Sequence, residues 1–307
     1  MSGHLKRTSL YVSGNRPVNM IQAAFYGEDC LVYDLEDSVA LSQKDAARFL
    51  VYNTLRFQRP KNCYTVVRIN GIGSPYLAED LEAMVLASPD AIRIPKVESG
   101  KQVQILSENV AQIERRNHQI PGKIRFWCNI ESYLGVLYAR EIATADPRVE
   151  VMALGAEDLI ASMGAVKTRE RMEIFYARNA ILMACREAGI DALDAVYSDI
   201  EDLKGLEEEA IFARNLGFDG KTVVHPRQID VVNACFAPSE RQVREAERIL
   251  AAIEAGRRQG NGVVTLDGAM LDRPMQLRAE TVIKRAKAAG MDVGEEFMDD
   301  HIFEEGQ

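Results

Sequence analysis

The chain has 307 residues, 47% of them hydrophobic, which is enough apolar material for one large core or two smaller ones. Acidic side chains outnumber basic ones by 46 to 37, and the net charge of -9 argues against nucleic acid as a partner, because its phosphates would be repelled. The sequence has no apolar run of about 18 residues and no apolar stretch at its start, so it predicts no membrane span and no signal peptide. Five widely separated cysteines fit a reducing compartment, and we expect a cytoplasmic protein.

Eight short runs rich in Val, Ile and aromatic residues alternate with longer stretches of helical periodicity, a pattern typical of a parallel sheet with helices outside it. Several runs are apolar without interruption, as expected for strands covered on both faces, and eight such units are enough to close a barrel. The sequence therefore predicts an α/β fold, a (β/α)8 TIM barrel. The predicted strands are Ser9–Ser13, Cys30–Leu35, Tyr64–Asn70, Ala91–Pro95, Arg125–Ile130, Val149–Leu154, Ala192–Val196 and Lys221–Val224.

A different pattern follows the eighth run. A helix is predicted to begin after Ser239, with Gln242 placed to complete a capping box. Turn residues and a short apolar run predict a hairpin over residues 260–271, and a final helix follows it. The sequence thus predicts a catalytic barrel domain over residues 1–237 and a C-terminal helical extension over residues 238–307.

Polar side chains stand at the carboxyl ends of the predicted strands, which is where a barrel gathers its functional groups. Glu131 follows strand five and Asp158 follows strand six, and oxygen ligands without a Cys or His cluster suit Mg²⁺. The alternative is that both acids cap the helices that follow them. Strand four ends in Pro95 and Lys96, which we assign to substrate binding.

Arginines stand at the ends of two other strands. Arg16 follows strand one and Arg68 lies in strand three, where a guanidinium could hold a substrate carboxylate or a developing oxyanion with two hydrogen bonds. The alternative is a structural salt bridge to Glu36 or Asp37, which follow strand two. These two acids could also hydrogen-bond the waters of a hydrated metal ion or remain solvated in their loop.

The order and spacing of these motifs resemble the citrate lyase β-subunit family, whose members are metal-dependent lyases that act on acyl thioesters. The resemblance covers about residues 7–289 and is specific because many short motifs occur in the same order. The motifs are Gly14–Pro17, Tyr33–Ala40, Val67–Asn70, Arg93–Lys96, Ile130–Glu131, Leu154–Asp158, Val196–Asp199, Gly217–Lys221 and Pro226–Ile229.

The resemblance implies a homotrimeric or hexameric barrel in which Glu131 and Asp158 hold Mg²⁺ and Arg68 binds the substrate. It also implies that Asp272 reaches a neighbouring subunit's site as an acid/base group, so that the C-terminal extension contacts that subunit. The implied reaction is the cleavage of a citryl thioester on acyl-carrier protein into oxaloacetate and an acetyl thioester. Other citrate lyase subunits would then be partners.

Two other functions stay open on the sequence. The first is a lyase or thioesterase that acts on malyl-, citramalyl- or methylmalyl-coenzyme A with the same metal and arginine. The second is a non-catalytic subunit that scaffolds a carrier-protein complex, with the acids serving only as helix caps. The thioester arm is chemically the same on a carrier protein and on coenzyme A, so the sequence leaves the carrier open.

Overall fold

The computed structural model describes residues 4–258, 264–294 and 297, and the chain divides into two compact units, Met1–Phe236 and Ala237–Gln307. The first unit is a closed barrel of eight parallel strands that follow one another in chain order. The predicted (β/α)8 fold is therefore confirmed, and each predicted strand end lies within two residues of the observed one. The strands are β1 Thr8–Ser13, β2 Cys30–Asp34, β3 Tyr64–Arg68, β4 Ala91–Ile94, β5 Arg125–Ile130, β6 Val149–Leu154, β7 Asp191–Asp194 and β8 Gly220–Val223.

Helices connect the strands and cover the outside of the barrel. The connections after β5 and β6 each hold two helices, so they add length at the edge where Glu131 and Asp158 lie. In the parts of the chain that the structure describes, no helix has the length and apolar character needed to cross a lipid bilayer. The helices are α1 Pro17–Ala23, α2 Lys44–Phe57, α3 Leu77–Ala87, α4 Gly100–Arg116, α5 Tyr133–Leu137, α6 Ala139–Ala143, α7 Ala156–Met163, α8 Phe175–Ala188, α9 Leu203–Leu216 and α10 Ile229–Phe236.

Side chains alternate between the two faces of each strand, which separates an outer core from a barrel interior. The outer face packs against the helices through residues such as Leu31, Ile92 and Met152. The inner face carries a separate apolar cluster that fills the barrel. Its members are Cys30, Val32, Tyr64, Val66, Ala91, Trp127, Val151, Ala153 and Leu193.

The last strand closes the barrel beside the first. Strand β8 pairs with β1 in parallel, with Lys221 opposite Thr8 and Thr222 opposite Ser9. At the start of β8, a Cβ atom on Gly220 would lie only 1.8 Å from the backbone oxygen of Lys6. The seam therefore requires a residue without a side chain at position 220.

The second unit contains two helices and a hairpin. Helix α11, Glu240–Arg258, begins with the predicted capping box, since the side chains of Ser239 and Gln242 each accept a hydrogen bond from the other's backbone N–H. Strands β9 Val264–Leu266 and β10 Ala269–Leu271 pair antiparallel, which confirms the predicted hairpin, although residues 260–263 lie outside the described part. Helix α12, Arg273–Ala288, packs on α11 through Ala279, Ile283 and Ala286.

Candidate active site

The strand register brings charged inward positions of β2, β3 and β4 side by side. Asp34 is paired with Arg68, and Arg68 with Arg93, on the same side of the strands as the apolar interior cluster. The apolar side chains fill the lower barrel, and these charged ones lie above them towards the carboxyl ends of the strands. This is the end at which barrel enzymes hold their reacting groups.

Arg68 is fixed by an acid that sequence reasoning missed. Its Nε and Nη2 donate to the two carboxylate oxygens of Asp34 at 2.6 and 2.8 Å, and its guanidinium lies 4.6 Å from the ring centre of Tyr11. Asp34 also accepts backbone hydrogen bonds from Glu36 and Ser38. Burial favours the neutral acid, but the hydrogen bonds and charge of Arg68 outweigh it and hold the pKa of Asp34 below its usual value.

The remaining nitrogen of Arg68 belongs to a group of ion pairs. Its Nη1 lies 3.0 Å from Glu36 Oε2 and 3.8 Å from Asp37, while Lys96 Nζ lies 2.8 Å from Glu36 Oε1 and 3.6 Å from Asp37. The predicted salt bridge to Glu36 is thus present, although the shortest bonds of Arg68 go to Asp34. Burial raises the pKa of Glu36 to about 7, against the opposing charge of Arg68 and the hydrogen bond from Lys96.

Glu131 has a buried carboxylate that is held at both oxygens. Its side chain is buried, Oε1 accepts a hydrogen bond from Asn129 Nδ2 at 2.6 Å, and Oε2 accepts one from the backbone N–H of Lys96 at 3.1 Å. The carboxylate lies on Gly155, where an added Cβ would be 2.3 Å from Glu131 Cγ. Glycine at position 155 is therefore what makes room for this carboxylate.

Lys96 reaches both groups through an unusual backbone conformation. Its φ is +51°, a left-handed value that is uncommon for a residue with a side chain. In this conformation its backbone N–H points to Glu131 while its Nζ pairs with Glu36. Pro95, directly before it, is buried.

Asp158 is exposed in the first turn of α7 and close enough to Glu131 to affect it electrostatically. Burial raises the pKa of Glu131, the positive charge of Arg68 opposes the shift, and the negative charge of Asp158 adds to it. Neither acid supplies a side-chain cap. Helix α7 has no side-chain cap bond, and α5 is capped by Ser132, which accepts from Gly135. The structure therefore shows no cap hydrogen bond from either acid, while the negative charge of Asp158 in the first turn of α7 complements the helix dipole.

The donor set fits a hard divalent cation. Glu131 and Asp158 offer carboxylate oxygens, and a bound cation would favour the charged form of Glu131, which burial and, to a smaller extent, the charge of Asp158 disfavour. Mg²⁺ commonly takes one or two carboxylates and keeps several waters. Among the described residues, no three His, Cys, Asp or Glu side chains form a group that could hold a metal ion.

Arg16 and Asp272 are two further predicted site residues. Arg16 is exposed at the start of α1, and in the described ranges it makes no ion pair with Glu36 or Asp37. Asp272 belongs to the second unit, where its side chain caps α12 by accepting a hydrogen bond from Met275 N at 2.9 Å. The acid/base role of Asp272 stays a prediction.

A closed (β/α)8 barrel that gathers paired carboxylates and a fixed arginine at its strand ends has the architecture of a metal-dependent barrel enzyme. Comparison with known proteins identifies the family. The model of the HpcH/HpaI aldolase/citrate lyase family matches residues 7–226. The chain belongs to this family and is a carbon–carbon lyase.

Individual relatives cover nearly the whole chain. It is 41% identical over 284 residues to citrate lyase subunit beta of Leuconostoc mesenteroides subsp. cremoris, covering 92% of this chain and 94% of that protein. It is 33% identical over 285 residues to (3S)-malyl-CoA thioesterase of Cereibacter sphaeroides, covering 93% and 96%. The crystal structure of CitE from Mycobacterium tuberculosis in complex with magnesium, acetoacetate and coenzyme A is 35% identical, with a TM-score of 0.77 and coverage of 93% and 100%.

Proposed function

We propose that this protein cleaves a citryl thioester into oxaloacetate and an acetyl thioester, with Mg²⁺ held by Glu131 and Asp158. One observation carries the proposal: the buried carboxylate of Glu131 is fixed at both oxygens close to Asp158, on the same rim as a fixed Arg68. The 41% identity to a citrate lyase β subunit supports this substrate, and the magnesium in the Mycobacterium tuberculosis structure supports the metal.

The bond that breaks joins the hydroxyl-bearing carbon of the citryl group to the carbon beside the thioester carbonyl. The hydroxyl loses its proton, its carbon becomes the ketone of oxaloacetate, and the electron pair passes to the acetyl thioester as an enolate, which then takes up a proton at carbon. Glu131 and Asp158 would hold the Mg²⁺, which would supply Lewis-acid polarisation of the substrate hydroxyl.

In this proposal Arg68 stabilises the oxygen on which negative charge develops. Asp34 accepts hydrogen bonds from its Nε and Nη2, so Nη1, which lies 3.0 Å from Glu36 Oε2, is the nitrogen whose partner a substrate oxygen would replace. Such a donor commonly contributes about 10²–10³ in rate. We assign Arg16, Glu36, Asp37, Pro95 and Lys96 to substrate binding and Asp272 of a neighbouring subunit to proton transfer.

Metal removal tests the proposal directly. Activity on citryl-acyl-carrier protein should vanish in EDTA and return with Mg²⁺, and Glu131→Gln and Asp158→Asn should each weaken Mg²⁺ binding. Glu157→Gln is the matched control for Asp158→Asn, since Glu157 is exposed on the same helical turn and pairs with Lys167. Full activity of Glu131→Ala would refute the metal assignment.

The thioesterase alternative has support from the relative that is named a (3S)-malyl-CoA thioesterase. A panel of citryl-carrier protein and malyl-, citramalyl- and methylmalyl-coenzyme A under identical Mg²⁺ would rank the substrates. Release of free coenzyme A marks hydrolysis, whereas an intact acetyl thioester marks carbon–carbon cleavage. Preferred turnover of malyl-coenzyme A with release of the free thiol would replace the citryl proposal.

We also propose a cytoplasmic homotrimer or hexamer that works with other citrate lyase subunits. The assembly can be measured by mass photometry. If Asp272 serves a neighbour's site, mixing inactive Arg68→Ala and Asp272→Ala subunits should restore part of the activity, because some sites then hold both residues. No recovery after verified subunit exchange would place Asp272 outside the neighbour's site.

A further inference from the structure

We propose that Arg93 and Asn129 are positioning residues that hold the carboxylate of Glu131 from inside the barrel. The inference rests on the proposed metal-binding role of Glu131 and extends it to two residues that lie below the carboxylate. Neither residue is placed to touch the substrate. They would act by fixing the geometry of a metal ligand.

Arg93 is a buried cation bonded to neutral groups. It is 2% exposed, its Nε donates to Asn129 Oδ1 at 2.6 Å, and its Nη1 and Nη2 donate to Ser9 Oγ at 3.2 Å and Thr222 Oγ1 at 3.3 Å. These partners come from β5, β1 and β8, so the guanidinium spans the barrel interior. Its guanidinium carbon also lies 4.8 Å from the ring centre of Tyr11 and 6.0 Å from that of Trp127. Several bonds from different strands leave Arg93 little freedom to move.

The bond from Arg93 decides which way the Asn129 amide points. An amide has one oxygen acceptor and one NH₂ donor, and the Nε of Arg93 can only donate. The oxygen of Asn129 must therefore face Arg93, which turns Nδ2 towards Glu131 Oε1 at 2.6 Å. With the amide reversed, its oxygen would face a carboxylate and its NH₂ would face a guanidinium. Arg93 thus ensures that Glu131 meets a donor.

This bond matters because the other restraints on Glu131 are few. Oε2 has the single backbone bond from Lys96, and Gly155 beside the carboxylate offers no side chain to limit its rotation. Without the Asn129 bond, the backbone bond from Lys96 would be the one hydrogen bond from the described residues that orients the carboxylate. Loss of a partner that orients a metal ligand typically costs about 10- to 100-fold in metal affinity.

Binding of Mn²⁺ alone to the EDTA-treated full-length protein tests the inference without any turnover. Electron paramagnetic resonance gives the Kd of Mn²⁺ for wild type, Arg93→Met, Asn129→Leu and the double variant. Each single variant should bind Mn²⁺ at least about tenfold more weakly. The double variant should bind no more weakly than Asn129→Leu, because Arg93 acts through Asn129 and the two effects are then not additive.

Arg178→Met is the matched control. Arg178 is 1% exposed and pairs with Asp194 and Glu209, and Glu131 is not among its described partners. Its loss should lower the melting temperature and leave the Kd of Mn²⁺ unchanged. General loosening of the barrel would instead weaken Mn²⁺ binding in this variant as well, and that result would overturn the inference.

The outcomes separate this inference from the proposed function. Mn²⁺ binding that is lost in Glu131→Gln but retained in Arg93→Met and Asn129→Leu would leave the metal site standing and overturn the positioning role. If Glu131→Gln binds Mn²⁺ as tightly as the wild-type protein, the metal assignment itself is overturned. If Arg93→Met does not fold, Arg93→Lys replaces it. The shorter side chain of lysine should not reach Asn129 as well, so the Kd of Mn²⁺ should rise. A Kd equal to that of the wild-type protein would refute the role of Arg93.

Discussion

Gly155→Ala should disable the site by moving one side chain. The backbone of Gly155 has φ −102° and ψ 86°, and its negative φ does not demand glycine, so the effect should come from contact alone. The added Cβ would lie 2.3 Å from Glu131 Cγ, 2.8 Å from Oε1 and 2.9 Å from Cδ. Since an ordinary contact begins near 3.4 Å, the carboxylate must move by about 1 Å.

A shift of this size breaks the geometry of both hydrogen bonds to Glu131, at 2.6 Å from Asn129 and 3.1 Å from Lys96. A misplacement of about 1 Å can lower a rate by about 10²-fold, which corresponds to about 2.7 kcal/mol. Overpacking by one methyl group costs about 1–3 kcal/mol in stability. We therefore expect a folded protein whose kcat/KM is about 100-fold lower and whose affinity for Mn²⁺ is reduced.

The assay measures kcat/KM at saturating Mg²⁺ and the Kd of Mn²⁺, with a thermal melt to verify folding. Gly71→Ala is the control, since its Cβ would meet only Pro95 Cγ, at an ordinary 3.8 Å, and should change neither quantity. A folded Gly155→Ala enzyme with both values within twofold of wild type would show that the position of Glu131 is not essential.

Three further predictions concern stability. Both oxygens of Glu28 are buried without a hydrogen bond from the described residues, and burial raises its pKa from 4.5 to about 7. The folded state then holds the proton of Glu28 more tightly than the unfolded state, so the wild-type protein loses stability as pH rises from about 4.5 to 7. Glu28→Gln should therefore raise the free energy of unfolding at pH 8 by at most about 3 kcal/mol, seen as a higher melting temperature, and should have no such effect at pH 4. An equal effect at both pH values would contradict this. Asp194→Asn breaks a fully buried ion pair with Lys221 at 2.8 Å and should lower the free energy of unfolding by about 3–5 kcal/mol, measured by denaturant unfolding. A loss below about 1 kcal/mol would contradict the importance of this ion pair. Gly220→Ala puts a methyl group against the backbone oxygen of Lys6, and an unchanged melting temperature would contradict the tight β1–β8 seam.

The barrel could be predicted because its strands are buried on both faces, which leaves continuous apolar runs in the sequence. The predicted ends of β2 and β3 extended too far for the same reason. Leu35 and Ile69 are apolar and fully buried, but they lie just past the strands, so burial alone does not reveal where a strand ends. Leu35 and Ile69 each still donate one backbone hydrogen bond to the next strand, to the carbonyls of Arg68 and Arg93, so the pairing stops only beyond them, and the composition of one strand does not record that point.

For the candidate site, the sequence predicted which residues stand at the strand ends but not which of them contact one another. Position at the carboxyl end of a strand was enough to single out Glu131 and Arg68. Which acid holds Arg68 was not predictable, because the choice of Asp34 over Glu36 depends on the register of β2 against β3. Asn129 carries no charge and Arg93 appeared to be an ordinary strand residue, so only the assembled interior reveals their link.

Because Arg68 is paired with Asp34, its side chain loses its conformational freedom when the protein folds and not when the substrate binds. A free arginine side chain carries about 2 kcal/mol of rotamer entropy, and here two hydrogen bonds and the Tyr11 ring restrict that freedom during folding. The substrate therefore meets a guanidinium that is already oriented, and little reorganisation is left for the moment when charge develops. A lysine at position 68 could not form the two parallel hydrogen bonds to Asp34, so its side chain would have to be ordered again in each catalytic cycle.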